Sequence, residues 1–235
     1  MSRLIIGKNA CREALNSNNL EALYLTIQNK ELIDLAKKRG INYEIVNKEK
    51  LDSLTKGNHQ GAIAISKDYK YYDVNEIVSD DKFSLIIILD GLKDPHNLGA
   101  ILRTSEATGV DGVIIPKNRS VHLSEVVSKV STGASEIVKV SEVVNLSKTI
   151  DYLKDNGYWV VGAEHMEGSV NYWDLDYNMK IALVIGSEGE GISRLVREKC
   201  DFLVDIPMNG KINSLNASVS CALLVYEIRR KQRSY

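Results

Sequence analysis

The sequence predicts an α/β fold built on a mostly parallel sheet with helices on both faces, and three observations carry that prediction. Near-continuous apolar runs such as Leu85–Leu89 and Ile181–Ile185 read as strands buried on both sides, not as half-buried strands of alternating pattern. Stretches of helical spacing separate these runs, and alternating strands and helices make a parallel sheet. Three of the strand ends then open into polar loops rich in Gly, Asn and Ser, where an open α/β sheet holds its ligands.

Taken in order, residues 1–67 form a module of their own. Asn9–Leu15 has helical spacing, Ala22–Ile27 is a β-like run, and Glu31–Arg39 is helical again with Gly40 as its stop. Ile41–Val46 predicts a second strand, Lys48–Leu54 a short helix and Gly61–Ile65 a third strand. Residues 68–83 break the pattern, with Tyr69, Tyr71 and Tyr72 close together and Ser79-Asp80-Asp81 near the end. That composition marks an interdomain linker. Its tyrosines suit interdomain packing or stacking on nucleic-acid bases. Residues 84–235 form the larger domain. Its strands are predicted at Leu85–Leu89, Gly112–Ile115, Tyr158–Gly162, Ile181–Ile185 and Phe202–Asp205. Its helices are predicted at Asn97–Thr108, His122–Val130, Leu146–Asn156, Ser193–Lys199 and Ser214–Arg230.

Bulk properties narrow the function classes. At 235 residues the chain is long enough for one large or two modest cores. The apolar runs are far too short to span a bilayer, and the N-terminus lacks the apolar segment of a signal peptide. A cytoplasmic protein without membrane contact is expected. Cys11, Cys200 and Cys221 are far apart with no CxxC spacing, so no metal site is expected. The net charge of −1 gives no global bias toward nucleic acid, but a local patch would suffice. Arg229, Arg230, Lys231 and Arg233 are one candidate patch, or else a helix end whose cations offset the dipole.

The chemistry sits in the three loops. The first runs Asp94-Pro95-His96-Asn97-Leu98-Gly99 into a helix. It lacks GxGxxG and any Walker sequence, which weakens dinucleotide or nucleoside triphosphate readings. Asn97 is a helix cap or a site residue. Arg103, in the second turn of that helix, is a solvated cation or a partner for an anion such as phosphate. The second loop, Gly186-Ser187-Glu188-Gly189-Glu190-Gly191, has three glycines that allow close backbone approach. Its two carboxylates disfavour polyphosphate and suit a cationic or hydroxyl-bearing ligand. The third runs from Asp205-Ile206-Pro207-Met208 through Gly210 to Ser214-Leu215-Asn216-Ala217-Ser218. There Ser214 is a natural N-cap for a helix whose apolar face includes Leu215, Val219, Leu223 and Tyr226.

Together the segments 94–116, 184–196 and 206–227 resemble the three motifs of the SpoU/TrmH family of RNA 2′-O-methyltransferases, in family order and spacing. Residues 1–67, with Gly7-Lys8-Asn9-Ala10 and His59-Gln60-Gly61-Ala62-Ile63-Ala64, look like the L30e-like substrate-binding module of the family's ribosomal RNA branch, the 23S rRNA guanosine 2′-O-methyltransferases. The resemblance implies a SPOUT-type trefoil-knotted parallel-sheet domain over residues 84–235, preceded by a small L30e-like α/β domain and the linker. It implies S-adenosylmethionine as cofactor, RNA (23S rRNA) as partner, and a homodimer whose active site is completed across the interface. By motif position, Gly186, Gly189, Ile206, Met208 and Leu215 line the cofactor pocket, and Asn97, Arg103, Glu188, Ser214 and Asn216 form the catalytic group. Asn97 and Asn216 are expected to orient Arg103 and the ribose. Two positions depart from the family pattern: Asn118 stands where relatives carry a charged residue, and Cys221 replaces a small one. A tRNA methyltransferase, a resistance-type rRNA methyltransferase of the same family and a non-catalytic ribosome-assembly protein are the alternatives.

Overall fold

The computed structural model describes residues 3–16, 20–66, 69–211 and 214–232. The chain divides into two compact units, Met1–Tyr69 and Lys70–Tyr235. The first contains β1 (Arg3–Ile6), α1 (Lys8–Asn16), β2 (Leu20–Leu25), α2 (Lys30–Arg39), β3 (Glu44–Ile45), α3 (Lys48–Leu54) and β4 (Ala62–Ser66). Its sheet runs β1-β4-β2-β3, with β4 antiparallel to both neighbours. Cys11, Leu15, Leu23, Leu25, Leu32 and Ala64 are fundamental to its core. Gly40 ends α2 in the left-handed conformation, at φ 65°, as its sequence position predicts. The strand β1 was not predicted, and the run Ile41–Val46 narrows to the two residues of β3.

The second unit begins with what the sequence marked as linker. Lys67 and Asp68 lie outside the described residues, but residues 70–83 fold onto this unit instead of spanning a gap. Tyr72 N donates to Val140 O at 2.8 Å, Asp73 and Glu76 form a capping box around a short 3₁₀ turn, and Ile77 is buried in the core. Tyr71 Oη accepts from Leu123 N at 2.9 Å. Tyr71 thus helps fix the segment, and the Tyr72 ring packs against the core of this unit.

Next come β5 (Leu85–Asp90), α4 (Pro95–Thr108), β6 (Gly112–Pro116), α5 (Glu125–Val130), β7 (Val140–Val143), α6 (Leu146–Asp155) and β8 (Trp159–Ala163). The chain finishes with β9 (Val170–Asn171), β10 (Ile181–Gly186), α7 (Arg194–Arg197), β11 (Phe202–Asp205) and α8 (Ala217–Gln232). The seven strands lie in the order β7-β6-β5-β10-β8-β11-β9 and pair in parallel. One face packs Ile86, Ile88, Val160 and Val184 against α6 and α7. Alternation of side chains sends Leu85, Ile87 and Leu89 to the other face, where α4, α5 and α8 pack together. Both sides of β5 are thus buried, which is why its sequence is apolar throughout. Gly99 permits the α4–α5 contact, because a Cβ there would lie 2.7 Å from Val130 Cβ.

Several predicted boundaries move. The helix predicted from His122 begins at Glu125, with Ser124 as its cap, and Ser193–Lys199 shortens to α7 with Ser193 before it. The last helix begins at Ala217, and Asn216 Oδ1 caps it by accepting from Ser218 N at 2.9 Å and Val219 N at 3.4 Å. Ser214 is not its cap. The face predicted to be buried is the outer one: Val219, Leu223 and Tyr226 are 47, 40 and 58% exposed, while Cys221, Leu224, Val225 and Ile228 point inward.

The C-terminal basic run is structural where it is described. Arg229 is 2% exposed and donates to Thr108 O at 3.0 Å, to Phe83 O at 2.6 Å and to Gly109 O. It caps the C-terminus of α4, where a cation is favoured by the dipole. Arg230 pairs with Glu227 at 2.7 Å, and Lys231 reaches Trp173 O and Leu175 O. Arg233 lies outside the described residues.

Candidate active site

The three loops meet at one carboxylate. Glu188 Oε1 accepts from Asn97 Nδ2 on α4 and from Asn216 Nδ2 ahead of α8, each at 2.8 Å. It joins segments 91 and 28 residues distant in sequence. A carboxylate only accepts, so both amide groups must present their NH₂ to it.

Each arm has a local cause. Asp94 takes the N-cap of α4, accepting from His96 N at 2.9 Å, with Pro95 in the first helical position. That backbone hydrogen bond also holds the Asp94 carboxyl below the ordinary aspartate value. Asn97 is therefore free of the capping role the sequence left open for it, and it sits 4% exposed in the first turn of α4. Asn216 divides its amide, with Oδ1 on the first turn of α8, including Ser218 Oγ at 2.6 Å, and Nδ2 on Glu188.

The loop holding Glu188 is tightly closed. Ser187 and Gly191 exchange backbone hydrogen bonds of 3.1 Å. A Cβ on Gly186 would lie 2.2 Å from the Gly191 carbonyl carbon, so only glycine permits the closure. Asp90 Oδ2 at the end of β5 accepts from Ser193 N at 2.7 Å and fastens the far side of the loop.

A cavity of about 1110 Å³ opens beside this tie. Gly186, Gly189, Ile206, Met208 and Leu215 line it, together with Glu188, Ser214 and Asn216. Asn97 reaches the site only through Glu188. Arg103 does not line the cavity. Its side chain is exposed on α4 and pairs with no group among the described residues. Within the chain, then, Asn97 and Asn216 orient Glu188, not Arg103 as the sequence suggested.

Sequence reasoning missed part of the wall. Glu164 and His165, which follow β8, went unrecognised, while Asp205, where the third loop begins, ends β11. Their signal was positional, since all three stand at the C-terminal ends of parallel strands. Glu164 accepts from Arg197 at 3.2 Å, and Asp205 faces His165 Nδ1 at 3.2 Å. With Glu188 and Glu190, four carboxylates border a space that Ile206, Met208 and Leu215 make partly apolar. Such a wall repels polyphosphate and fits a ligand combining a cationic centre, hydroxyls and a flat apolar ring.

Cysteine chemistry does not belong to the site. Burial pushes the thiols of Cys200 and Cys221 up to about 12, so neither is a thiolate at neutral pH. Among the described residues, no group of three or more His, Cys, Asp or Glu is arranged to hold a metal ion. No helix there is long and apolar enough to cross a membrane.

Residues 84–226 match the SpoU rRNA Methylase family. Residues 4–72 match the family described as RNA 2′-O ribose methyltransferase substrate binding. A protein of Staphylococcus saprophyticus named "Putative TrmH family tRNA/rRNA methyltransferase" is 49% identical over 239 residues, covering 97% of this chain and 96% of that one. Its namesake in Staphylococcus haemolyticus is 47% identical with the same coverage. In structure, the AdoMet-bound rRNA methyltransferase from Sinorhizobium meliloti superposes with a TM-score of 0.69 at 25% identity, over 97% of this chain and 87% of that one. The SpoU methyltransferase AviRb from Streptomyces viridochromogenes, in complex with AdoMet, shares the fold with a TM-score of 0.72 at 23% identity, over 98% and 90%. A small first unit matching a substrate-binding family and a SPOUT-type parallel sheet after it, the three loops meeting at Glu188 and these matches over nearly the whole chain lead to one assignment: the chain belongs to the SpoU/TrmH family of RNA methyltransferases.

Proposed function

We propose that the chain transfers a methyl group from S-adenosylmethionine to a ribose 2′-hydroxyl of RNA, in the cytoplasm, with a guanosine of 23S rRNA as natural target. The observation that carries this reading is the Asn97–Glu188–Asn216 tie beside an acidic, partly apolar cavity, in a chain of an RNA methyltransferase family. The match of residues 4–72 to a 2′-O ribose methyltransferase substrate-binding domain supports ribose as the acceptor. The AdoMet bound by the Sinorhizobium relative supports the cofactor.

When bound, S-adenosylmethionine supplies an activated sulfonium methyl group. Ile206, Met208 and Leu215 would pack its apolar parts, and Gly186 and Gly189 would let the backbone approach closely. Glu188, Glu190 and Asp205 favour its cationic end. What remains for the protein is to position the 2′-hydroxyl and assist loss of its proton. A guanidinium with a pKa above ~12 is a poor proton acceptor at neutral pH. Arg103 therefore serves as a clamp on the target phosphate that also stabilises the developing alkoxide. Ser214 and Asn216 face the ribose.

Arg103 lies outside the cavity of its own chain, so this role needs a second copy. The exposed stripe of Val219, Leu223 and Tyr226 on α8 supports a homodimer, and α8 packs beside α4, which bears Arg103. Self-association through that stripe would set α4, with its Arg103, close to the interface between two copies. Because the relatives' name covers both tRNA and rRNA, tRNA is the second reading. Incubating 23S rRNA and tRNA transcripts in parallel with labelled cofactor, then mapping the modified nucleotide, decides between them. Label in a 23S rRNA guanosine is expected; label confined to tRNA would overturn the assignment of target.

A further inference from the structure

Beside the first loop stands a second exposed feature that the catalytic reading leaves unused. The turn after β6 carries Lys117, Asn118 and Arg119, all exposed. It is fixed to the loop after β5, since Val121 N donates to Leu92 O at 2.7 Å and Ser120 Oγ donates to the same oxygen at 3.1 Å. Leu92 directly precedes Lys93, itself exposed. The far side of the turn is anchored too, through Lys117 N to Val143 O at 2.8 Å and Leu123 N to Tyr71 Oη at 2.9 Å. Val121 and Leu123 are buried beneath it.

Arg119 holds the turn in shape from an unusual conformation. Its φ is 59°, a left-handed geometry rare for residues other than Gly, Asn and Asp. Such backbone persists only where its surroundings enforce it, and it clusters at functional sites. Among the described residues, Lys93, Lys117 and Arg119 make no ion pair within the chain. The acids of the same segments are committed elsewhere. Asp94 caps α4, and Glu142 holds His122 at 2.5 Å. The result is a rigid turn presenting cations at the C-terminal ends of β5 and β6, the edge of the sheet on which the first loop stands.

We propose that Lys93, Lys117 and Arg119 form a phosphate-binding rim that seats the RNA backbone flanking the target nucleotide. The partner follows from charge: unpaired, preordered cations that read no base edge fit a polyanionic backbone. The inference rests on RNA being the substrate and goes further, by naming the surface of the second unit that holds it.

The test uses the full chain and two probes, a 23S rRNA transcript and a tRNA transcript, with binding measured by fluorescence anisotropy over a salt series. The triple variant Lys93→Gln, Lys117→Gln, Arg119→Asn keeps a residue that tolerates positive φ at position 119. Its RNA affinity is expected to fall about tenfold or more, and the slope of log K against log salt to shrink by about 2, at roughly 0.7–0.9 per lost phosphate contact. Affinity for S-adenosylmethionine, measured by calorimetry, stays at the wild-type value. The double variant Lys93→Gln, Lys117→Gln leaves the Arg119 backbone untouched and is expected to show about two thirds of that slope change. Wild-type affinity and slope in both variants would overturn the rim while leaving the methyltransferase reading intact. If the wild-type chain binds neither transcript, both readings fall together.

Discussion

Glu188→Ala is the most direct perturbation of the tie that organises the site. Oε1 of Glu188 accepts two hydrogen bonds of 2.8 Å, and the two donors differ in burial. Asn216 is exposed, so water replaces the lost acceptor at little cost. Asn97 is 4% exposed, and its amide is left without a partner, at a cost of about 1–3 kcal/mol. For a folding unit of this size each kcal/mol moves the melting temperature by roughly 2–4 °C. A fall of about 2–12 °C is therefore expected in thermal unfolding followed by circular dichroism. Glu188→Gln keeps an oxygen for both donors and loses only the charge, so its fall is expected to be about half as large. Affinity for S-adenosylmethionine should weaken about tenfold in the alanine variant, equivalent to about 1.4 kcal/mol, because three loops lose their common anchor. A double-mutant cycle with Asn97→Ala should show a coupling of about 1 kcal/mol or more. Strict additivity of the two changes, with an unshifted melting temperature for Glu188→Ala, would refute the tie as the organiser of the site.

Other consequences can be measured separately. Leu215→Arg puts a cation into the cavity wall and should abolish cofactor binding by calorimetry while the chain stays folded; unchanged affinity would disprove the pocket. Arg103→Lys should lower turnover about 100-fold or more with cofactor affinity kept, and mixing it with Leu215→Arg should restore partial activity if the two residues serve one site from two subunits. The wild-type chain is expected to sediment as a dimer and Leu223→Glu as a monomer, and a dimer unaffected by that change would remove α8 from the interface. The two thiols held near 12 give a pH signature. Their folded values lie above the unfolded one, so their contribution to stability is fully present below about pH 8.5 and is lost as pH rises toward 12. Replacing Cys200 and Cys221 by Ala should flatten that alkaline loss, and an identical alkaline profile would contradict the burial argument.

Much of the fold is legible in the sequence because burial on both faces leaves unbroken apolar runs. The strands at Leu85 and Ile181 were recognisable for that reason, while β7 escaped notice because Ser141 and Glu142 interrupt it. The two-residue strand β9 is too short to carry a pattern. In α8, periodicity reveals apolar residues but does not say which side is buried. Val219, Leu223 and Tyr226 form one stripe and Cys221, Leu224 and Ile228 another, and only the packing against α4 chooses between them. Arg229 looked like surface charge for a similar reason, since its partners are carbonyls at the end of a helix about 120 residues earlier. The three loops were identifiable as one site from their places at strand ends. That Glu188 is held by both asparagines required the fold, as did the separation of Arg103 from the cavity of its own chain.

Methylation of a ribose hydroxyl of RNA leaves a chemical mark that alkaline hydrolysis of the product reveals. A 2′-O-methyl group blocks attack by that oxygen on the adjacent phosphate. Label from S-adenosylmethionine should therefore be recovered in an alkali-resistant dinucleotide, with guanosine at its 5′ side. Label recovered in alkali-released mononucleotides would mean a methylated base and would rule out the ribose as acceptor.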